Sequence, residues 1–421
     1  MTWSHFKRGL GLSLKILLTI LLSFLFLEFL LLVFNDVVFR ESLYLYDPDM
    51  GFRARSYARW GDNITNEFGF NDRDYPHQKK PGTYRILILG DSFNWAGGLE
   101  GNYASLLERK FEAEFGDPRV EIINAGYHAT HTGEQLVALK KFGLQYNPDL
   151  VVLGFFVGND FFDAVPWRRR INVGGSQVDI DTRTDTEITF WGQLVVPLQS
   201  RLYLFLRDQW ATYKYLQIQR QAQMQQNAEP AADQPDSWAD QVEEVSNNQA
   251  PSSAGFSYTE DNISEYYLEL EMLRIQIANS VLAASVAADE FKVREDFALS
   301  NLLAMHNLLK EKNIPFMVVA YPDNFQVEES LRQVVFNHYQ LNPAQFQLDR
   351  PQRLLWEFCQ ENQIEFYDML PTFQAGQQQG QRLYLVNDSH WNDAGNQLAA
   401  DYLFETLMPK VQEFFAGQSA Q

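Results

Sequence analysis

A serine, a histidine and an aspartate stand where each could take part in acyl-transfer chemistry. Ser92 closely follows the apolar run 86–89, and Asp388 and His390 lie in "NDSHWNDAGN" near the carboxyl end of the chain. Hydrolysis by a serine needs a nucleophile, a base that takes its proton and a carboxylate that orients the base. A carboxylate two residues before a histidine in a loop can face the imidazole and fix its tautomer. We therefore expect Ser92 to be the nucleophile, His390 the general base and Asp388 the orienting carboxylate.

Two further positions could stabilise the oxyanion of such a reaction. Gly126 ends the strand-like run "VEIINAG", and its lack of a side chain lets a backbone N–H approach a substrate closely. Asn159 follows the apolar run "DLVVLGFFVG" and carries a side-chain amide. Because ligands bind at the carboxyl ends of parallel strands, we expect both residues to reach the site of Ser92.

Alternating strands and helices must position these residues. The predicted strands lie at 85–90, 120–126, 149–158, 314–322 and 364–370. The predicted helices between and after them lie at 103–115, 132–143, 299–313 and 392–415. Alternation at this spacing predicts a doubly wound α/β fold, a flavodoxin-like three-layer sandwich with about five parallel strands.

Composition narrows the classes of function. The chain has 421 residues, of which 46% are hydrophobic, enough for a large core. Its net charge of -20 argues against binding to nucleic acid, whose phosphates would be repelled. Cys359 is the only cysteine, which excludes an intrachain disulfide and a multi-cysteine metal site. We expect no nucleic-acid partner, no metal and no other cofactor.

The amino-terminal region predicts a membrane anchor. Residues 16–34 are almost entirely apolar and long enough to cross a bilayer, which needs about 20 residues. Lys7, Arg8 and Lys15 precede this segment and should stay cytoplasmic, so the bulk of the chain is expected outside, in a bacterial periplasm. A cleaved signal peptide is the alternative, but no small-residue cleavage site follows the apolar segment.

Glu28 is an acidic residue inside the predicted span. It leaves two interpretations open. The carboxylate contacts a membrane partner, such as a membrane-embedded acyltransferase, or it tilts toward the outer interface.

The predicted organisation places a cytoplasmic tail at 1–15 before the anchor. A juxtamembrane segment, 35–84, is expected to pack on the catalytic domain, which is predicted in two halves, 85–165 and 291–417. The insertion between them, 166–290, has helical patterns at its flanks.

Within this insertion, residues 220–256 are rich in Gln, Ala, Pro, Asp and Ser and are predicted to be disordered. A lid over the site and an interfacial helix on the membrane are possible roles for the helical flanks. A packing helix is the favoured one.

Four blocks together resemble the SGNH (GDSL-type) hydrolase superfamily. In chain order they are "GDS" (90–92), "NAG" (124–126), "GND" (158–160) and "DSHW" (388–391). The resemblance implies an oxyanion hole made by the N–H of Ser92, the N–H of Gly126 and the side chain of Asn159. The D-x-H-W spelling is similar to an extracytoplasmic branch that includes alginate O-acetyltransferase-like proteins. One departure stands out, since the family more often has the aspartate three residues before the histidine, where this chain has Asn387.

These observations predict a membrane-anchored extracytoplasmic serine esterase or O-acyltransferase. Its acyl-enzyme would form on Ser92, and its substrate would be an acyl or acetyl ester of an envelope glycan or lipid. The alternative is a catalytically silent scaffold or glycan-binding subunit of an envelope-modification complex. The completeness of the site argues against that alternative, since a binding module does not need serine, histidine and carboxylate together.

Four other polar residues near these blocks receive structural or minor roles. Asp91 is expected to hold the turn before the serine. Asp160 is expected to be a pocket wall or a helix cap. His128 and His131 have a spacing that would suit a metal, but pocket polarity or ordinary surface positions are favoured because no third ligand stands beside them.

Overall fold

The structure is a computed structural model that describes residues 3–39, 42–116, 119–190, 193–196, 200–207, 209–210, 213, 256–279 and 288–419. The chain divides into two compact units. The anchor unit comprises Met1–Arg53 and Trp167–Ala250, and the sheet unit comprises Ala54–Pro166 and Pro251–Gln421. The segment predicted to be disordered, 220–256, lies outside the described residues except for Phe256.

Within the described residues, the elements are numbered in chain order. The strands are β1 (Tyr44–Asp47), β2 (Gly51–Ala54), β3 (Arg59–Trp60), β4 (Asn63–Ile64), β5 (Tyr84–Leu89), β6 (Val120–Asn124), β7 (Leu150–Phe156), β8 (Arg168–Val173), β9 (Ser176–Asp181), β10 (Ile188–Phe190), β11 (Gln193–Val196), β12 (Phe316–Tyr321) and β13 (Glu365–Asp368). The helices are α1 (Trp3–Val33), α2 (Asn35–Val38), α3 (Gly98–Gly101), α4 (Tyr103–Phe115), α5 (Thr132–Lys141), α6 (Asp160–Asp163), α7 (201–207), α8 (Glu265–Arg274), α9 (Ala288–Glu311), α10 (Asn324–Val327), α11 (Glu329–His338), α12 (Arg350–Glu361), α13 (Leu370–Gln378) and α14 (Asp393–Ser419).

The sheet unit is built on five parallel strands in the order β13-β12-β7-β5-β6. Counted along the chain, this is the order 2-1-3-4-5 of a flavodoxin-like doubly wound sheet. The predicted α/β fold is therefore confirmed, and each of the five predicted strands corresponds to one strand of the sheet.

Both faces of the sheet are covered, which explains why β5 and β7 have no polar alternation. All six residues of β5 and all seven of β7 are buried. Ile86 and Ile88 of β5 belong to a core cluster shared with α4 and α14. On the opposite face, Leu87 approaches Gly143, just after α5, and α5 in turn packs on α9. The chain turns that follow β5, β6 and β7 bring Ser92, Gly126 and Asn159 to one edge of the sheet.

Residues 54–84 fold with the sheet unit, whereas residues 44–53 fold with the anchor unit. The hydroxyl of Tyr75 donates to the carboxylate of Glu108 on α4, at 3.0 Å, and also lies 2.9 Å from the carbonyl of Ile122 on β6. Glu108 also accepts the N–H of Ile122, and its Oε1 lies 2.9 Å from the guanidinium group of Arg73. These contacts hold the segment before β5 against α4 and β6.

The anchor unit contains the one described helix that is long and apolar enough to cross a membrane. The apolar part is Leu12–Val33, 22 residues that are almost fully exposed within the unit, four residues earlier at its start than the predicted span. Its length and composition fit a membrane anchor or a signal sequence.

Glu28 of this helix caps α7 within the same unit. Its carboxylate accepts hydrogen bonds from the hydroxyl of Ser200 at 2.5 Å, the N–H of Arg201 at 3.0 Å and the N–H of Leu202 at 3.1 Å. A carboxylate is a favourable acceptor at a helix amino terminus. Glu28 therefore has partners inside the chain, and it gives no reason to infer a partner protein.

The predicted insertion is divided between the two units. Its first part forms two antiparallel hairpins, β8–β9 and β10–β11, which the sequence analysis did not predict, followed by α7. Its last part, 256–279, contains α8 and belongs to the sheet unit.

Glu108 should make the stability of the protein fall as the pH rises toward neutrality. Burial raises the pKa of Glu108 from 4.5 to about 7, against the lowering effect of Arg73 and the hydrogen bonds. Between these two values the unfolded chain has lost a proton that the folded protein keeps, so the free energy of unfolding should drop by about 3 kcal/mol as the pH rises through this range. In urea unfolding of the detergent-solubilised protein at pH 4.5 and 7.5, the drop in Glu108→Gln should be smaller than the drop in the wild type by about this amount. The same drop in both proteins would contradict the assignment.

Candidate active site

The chain turns sharply after β5, and this turn carries Ser92. The carboxylate of Asp91 is buried and accepts a hydrogen bond from the N–H of Phe93 at 3.0 Å. An aspartate that accepts from the backbone two residues further on stabilises a turn. Asp91 thus has the structural role that the sequence predicts, and it leaves Ser92 at the carboxyl end of the strand.

Two short hydrogen bonds join Ser92, His390 and Asp388. Nε2 of His390 is 2.7 Å from Oγ of Ser92, and Nδ1 is 2.5 Å from Oδ1 of Asp388. Because an ionised carboxylate can only accept, Nδ1 carries the proton and Nε2 accepts the proton of the serine hydroxyl. The structure brings the three residues together in the order that a serine nucleophile needs, and their catalytic roles stay predictions.

Asp388 is ionised in this arrangement. Burial by itself would raise the pKa of Asp388, but the hydrogen bonds and the charge of His390 outweigh it and lower the pKa to about 2. At neutral pH the group is a carboxylate, which can stabilise the imidazolium that forms when His390 takes a proton.

His390 lies in a closed loop between α13 and α14. A backbone bridge between Tyr384 and Trp391 closes the loop. The imidazole lies against the ring of Phe93, with the ring centroids 5.2 Å apart. Since Phe93 directly follows Ser92, the turn that presents the hydroxyl also supports the ring that accepts its proton.

Asn387 occupies the position where the superfamily more often has its aspartate, and its side chain bonds to the insertion. Its Oδ1 accepts the N–H of Ser264 at 2.8 Å, and its Nδ2 donates to the carbonyl of Asn262 at 3.0 Å. The backbone of Asn387 is left-handed, with φ of 56°, a conformation that asparagine tolerates well. Asp388, one residue later, is therefore the residue that contacts His390.

The last part of the insertion supports this loop. Ser264 is the N-cap of α8, and its hydroxyl accepts the N–H of Tyr267 at 3.2 Å. The hydroxyl of Tyr267 donates to the carbonyl of Asp388 at 3.4 Å, and the hydroxyl of Tyr258 accepts the N–H of Asn387 at 3.3 Å. Sequence reasoning missed these residues, because nothing in their local pattern identifies a loop more than 120 positions away.

Arg274, at the end of α8, brings a buried positive charge to this region. Its guanidinium group lies 3.3 Å from Oε1 of Glu271 and 3.9 Å from Oδ1 of Asp323. Burial raises the pKa of Asp91, and the charges of His390 and Arg274 counteract part of that rise. Sequence reasoning missed Arg274 as well, because the sequence around it indicates only a helix.

Gly126 lies where a side chain would not fit. A Cβ at this position would stand 2.3 Å from Cβ of Asn94, so packing alone requires a glycine. Its N–H makes only a long contact, 3.4 Å, with Oδ1 of Asn124. The structure places Gly126 at the predicted sheet edge, and its role as an oxyanion donor stays a prediction.

Asn159 follows β7 and lies beside Asp91. A hydrogen bond from its side chain helps to lower the pKa of Asp91 against the effect of burial. The neighbouring Asp160 is fully buried and accepts the N–H of Phe156 at 2.8 Å. Asp160 therefore holds the turn after β7, and the oxyanion role of Asn159 stays a prediction.

Two buried asparagines connect the ends of β5 and β6. Nδ2 of Asn94 donates to Oδ1 of Asn124 at 2.8 Å, and Nδ2 of Asn124 donates back to the carbonyl of Asn94 at 2.7 Å. The hydroxyl of Tyr103 donates to Oδ1 of Asn94 at 2.9 Å. Sequence reasoning missed this network, although Asn124 opens the "NAG" block and Asn94 stands two residues after the "GDS" block. It fixes the turn of Ser92 relative to the turn of Gly126.

Aromatic rings lie beside Gly126. Nε1 of Trp95 donates to the carbonyl of Gly126 at 3.0 Å. The ring of Trp60, on β3, lies 6.5 Å from the ring of Trp95 and 5.9 Å from that of His128. Trp60 is 52% exposed. The exposed indole of Trp60 therefore contacts Trp95, which is hydrogen-bonded to Gly126, the predicted oxyanion donor.

His131 has a structural role at the start of α5. Its Nδ1 accepts the N–H of Gly133 at 3.0 Å, and the carboxylate of Glu134 accepts the N–H of His131 at 3.1 Å. This is a capping box, in which the cap and the third helical residue satisfy each other's backbone donors.

Comparison with protein families gives one match. Residues 285–421 match the model of a family described as an SGNH hydrolase-like domain, acetyltransferase AlgX. The match confirms the resemblance to the SGNH hydrolase superfamily over the part of the chain that carries Asp388 and His390. No curated protein matches the chain.

Several solved structures are similar at low identity. An acetyl xylan esterase, AlAXEase, is 15% identical over 77% of this chain and 99% of its own, with a TM-score of 0.33. The psychrotrophic esterase EstA from Pseudoalteromonas sp. is 13% identical over 78% of this chain and 98% of its own, with a TM-score of 0.36. A lipase/acylhydrolase from Enterococcus faecalis is 13% identical over 78% of this chain and 97% of its own, with a TM-score of 0.34. TM-scores and identities this low give no indication of the activity of this chain.

The contacts of Asn387 and Asp388 predict which of these two residues orients the imidazole of His390. Asp388→Asn should lower kcat/KM for p-nitrophenyl acetate by about 10³- to 10⁴-fold, because the amide no longer fixes the imidazole tautomer. Adding Asn387→Asp should not restore activity, since the side chain at 387 bonds to the backbone of 262 and 264. Thermal unfolding of both variants serves as the folding control. Recovery of activity in the double variant would overturn this assignment.

Proposed function

We propose that the protein is a membrane-anchored extracytoplasmic serine enzyme that transfers an acyl group through an acyl-enzyme on Ser92. The acceptor is a hydroxyl group of an envelope glycan, or water when the enzyme acts as an esterase. The observation that carries this proposal is the continuous hydrogen-bond path from Ser92 through His390 to Asp388.

The geometry supports a two-step mechanism. In the first step, Nε2 of His390 takes the proton as Oγ of Ser92 attacks the ester carbonyl carbon. The N–H groups of Ser92 and Gly126 and the amide of Asn159 would bind the oxyanion of the tetrahedral intermediate. Its collapse breaks the ester bond, and His390 returns the proton to the departing alcohol.

In the second step, an acceptor hydroxyl attacks the carbonyl carbon of the acyl-serine. His390 takes the proton of that hydroxyl and then returns it to Oγ of Ser92, so the free enzyme is regenerated. An acceptor from a glycan gives transfer, and water gives hydrolysis. The family that matches residues 285–421 is described as an acetyltransferase, which favours transfer of an acetyl group.

Trp60 supports a sugar ring as part of the substrate. The face of an indole carries negative charge density, so it attracts the polarised C–H groups on the face of a sugar. The contacts with Trp95 and His128 hold the indole of Trp60 in place while half of it stays exposed. We therefore infer that the substrate is a glycan, rather than a lipid, with a sugar ring against Trp60.

The amino-terminal charges support the topology of this proposal. Lys7, Arg8 and Lys15 are concentrated before or at the start of the apolar segment Leu12–Val33. Cationic residues stay on the cytoplasmic side, so the residues after Val33 would lie outside the membrane. The proposed location is the cell membrane, with the catalytic part in the periplasm.

A serine-directed probe tests the nucleophile. A fluorophosphonate should label the wild-type protein and leave Ser92→Ala unlabelled, because the probe forms a covalent bond only with an activated hydroxyl. Ser300→Ala, which removes an exposed serine of α9, should be labelled like the wild type. In-gel fluorescence of the intact protein gives the measurement. Equal labelling of wild type and Ser92→Ala would refute Ser92 as the nucleophile.

Trp60→Ala tests the glycan surface. Loss of an aromatic contact worth roughly 1.4 kcal/mol should raise KM for an acetylated oligosaccharide about tenfold. The effect on p-nitrophenyl acetate, which has no sugar ring, should be much smaller. Trp356→Ala is the matched control, because this tryptophan of α12 is also 52% exposed. An equal effect of the two substitutions, or of Trp60→Ala on both substrates, would argue against a sugar-binding role.

A further inference from the structure

The hydrogen bonds of Glu28 fix the depth of α7 relative to the anchor helix. Ser200, Arg201 and Leu202, at the start of α7, all donate to its carboxylate. Val33, where the apolar segment ends, is five positions after Glu28. At about 1.5 Å per residue this is roughly 8 Å along the helix. If α1 spans a membrane, α7 therefore begins within the outer boundary of the hydrocarbon.

The inner face of α7 packs on a hairpin of the same unit. Leu204 is 2% exposed and belongs to a small core with Ile171, Val173 and Ile180 of β8 and β9. The other side of α7 is therefore the side that this core does not cover.

That other side is apolar and exposed. Tyr203 and Leu206 of α7 are 63% and 56% exposed, and Trp210 and Tyr213, which follow α7 in the chain, are 59% and 53% exposed. Tyr203 and Leu206, three residues apart, lie on one face of α7, and the sequence spacing of Trp210 and Tyr213 continues the same helical period. The surfaces of soluble proteins seldom carry several large apolar side chains side by side, whereas tyrosine and tryptophan are enriched at the interface between a membrane and water.

We propose that α7 lies in the interface of the membrane, with its exposed face among the lipid headgroups and the first acyl carbons. The inference rests on the membrane anchoring proposed above. Two independent observations carry it: the carboxylate inside the apolar segment that holds α7 at this depth, and the exposed large side chains that begin with Tyr203 and Leu206 on α7. An amphipathic helix of this kind lies about 5–10 Å into the boundary between headgroups and acyl chains.

The same arrangement accounts for the acidic residue in the anchor. An acidic side chain at the centre of a membrane helix is strongly destabilising, and the cost is smaller near the interface. Three donors from the start of α7 offset much of this cost. Glu28 and α7 thus stabilise each other at the membrane surface.

Spin labels on the exposed face test the proposal. Tyr203→Cys and Leu206→Cys are labelled with a nitroxide in the full-length protein, which is then placed in vesicles of phosphatidylcholine and phosphatidylglycerol; the native Cys359 is buried and should not react. Collisions with oxygen, which concentrates in lipid, are compared with collisions with a water-soluble nickel chelate. Both labels should favour oxygen several-fold more than a label at the exposed Lys312→Cys.

A label at Leu21→Cys, on the exposed surface of α1, separates this proposal from the anchoring on which it rests. If the label at 21 does not favour oxygen, the anchoring itself fails. If the label at 21 favours oxygen while those at 203 and 206 favour the nickel chelate, α7 lies in water and the proposal is wrong. Labels at 203 and 206 that neither reagent reaches would show a protein covering the face, which also overturns the proposal.

Discussion

The hydrogen bond between Ser92 and His390 is the contact on which the site depends, because it joins residues 298 positions apart in the sequence. Ser92 comes from the turn after a central strand, and His390 comes from a loop between the last two helices. Catalysis by such a pair tolerates little displacement, since an error of about 1 Å can cost on the order of 100-fold in rate. The positions of Ser92 and His390 must therefore each be fixed by neighbouring residues.

On the side of Ser92, the support is a network of buried polar groups. The carboxylate of Asp91 holds the turn, and the paired amides of Asn94 and Asn124 tie it to the next strand. A buried polar group that loses its partner pays the cost of desolvation without compensation. These groups can satisfy each other in one arrangement of the turn, so the network specifies the position of the hydroxyl more than it adds stability.

The strands of the sheet and the residues at their ends could be predicted because both depend on local pattern. A run such as residues 86–89 of β5, apolar at every position, is typical of a strand buried on both faces, and the carboxyl edge follows from the parallel topology. The β8–β9 hairpin was missed although a signal exists: Gly174 and Gly175, both with positive φ, separate two alternating runs. The contacts of Glu28 and Arg274 could not be predicted, because they join distant segments whose local patterns say only that each is helical.

This chain has Asn387 where the superfamily more often has its aspartate, and this difference is linked to the last part of the insertion, residues 256–279. With the aspartate at 388, the residue at 387 is not needed to orient His390, and its side chain can point the other way. Asn387 uses both ends of its amide on the backbone of Asn262 and Ser264, and its left-handed φ directs it there. A chain without the segment 256–279 would have no partner for this side chain. The spacing of the aspartate and the histidine is therefore coupled to the insertion, which directly supports the loop that carries His390.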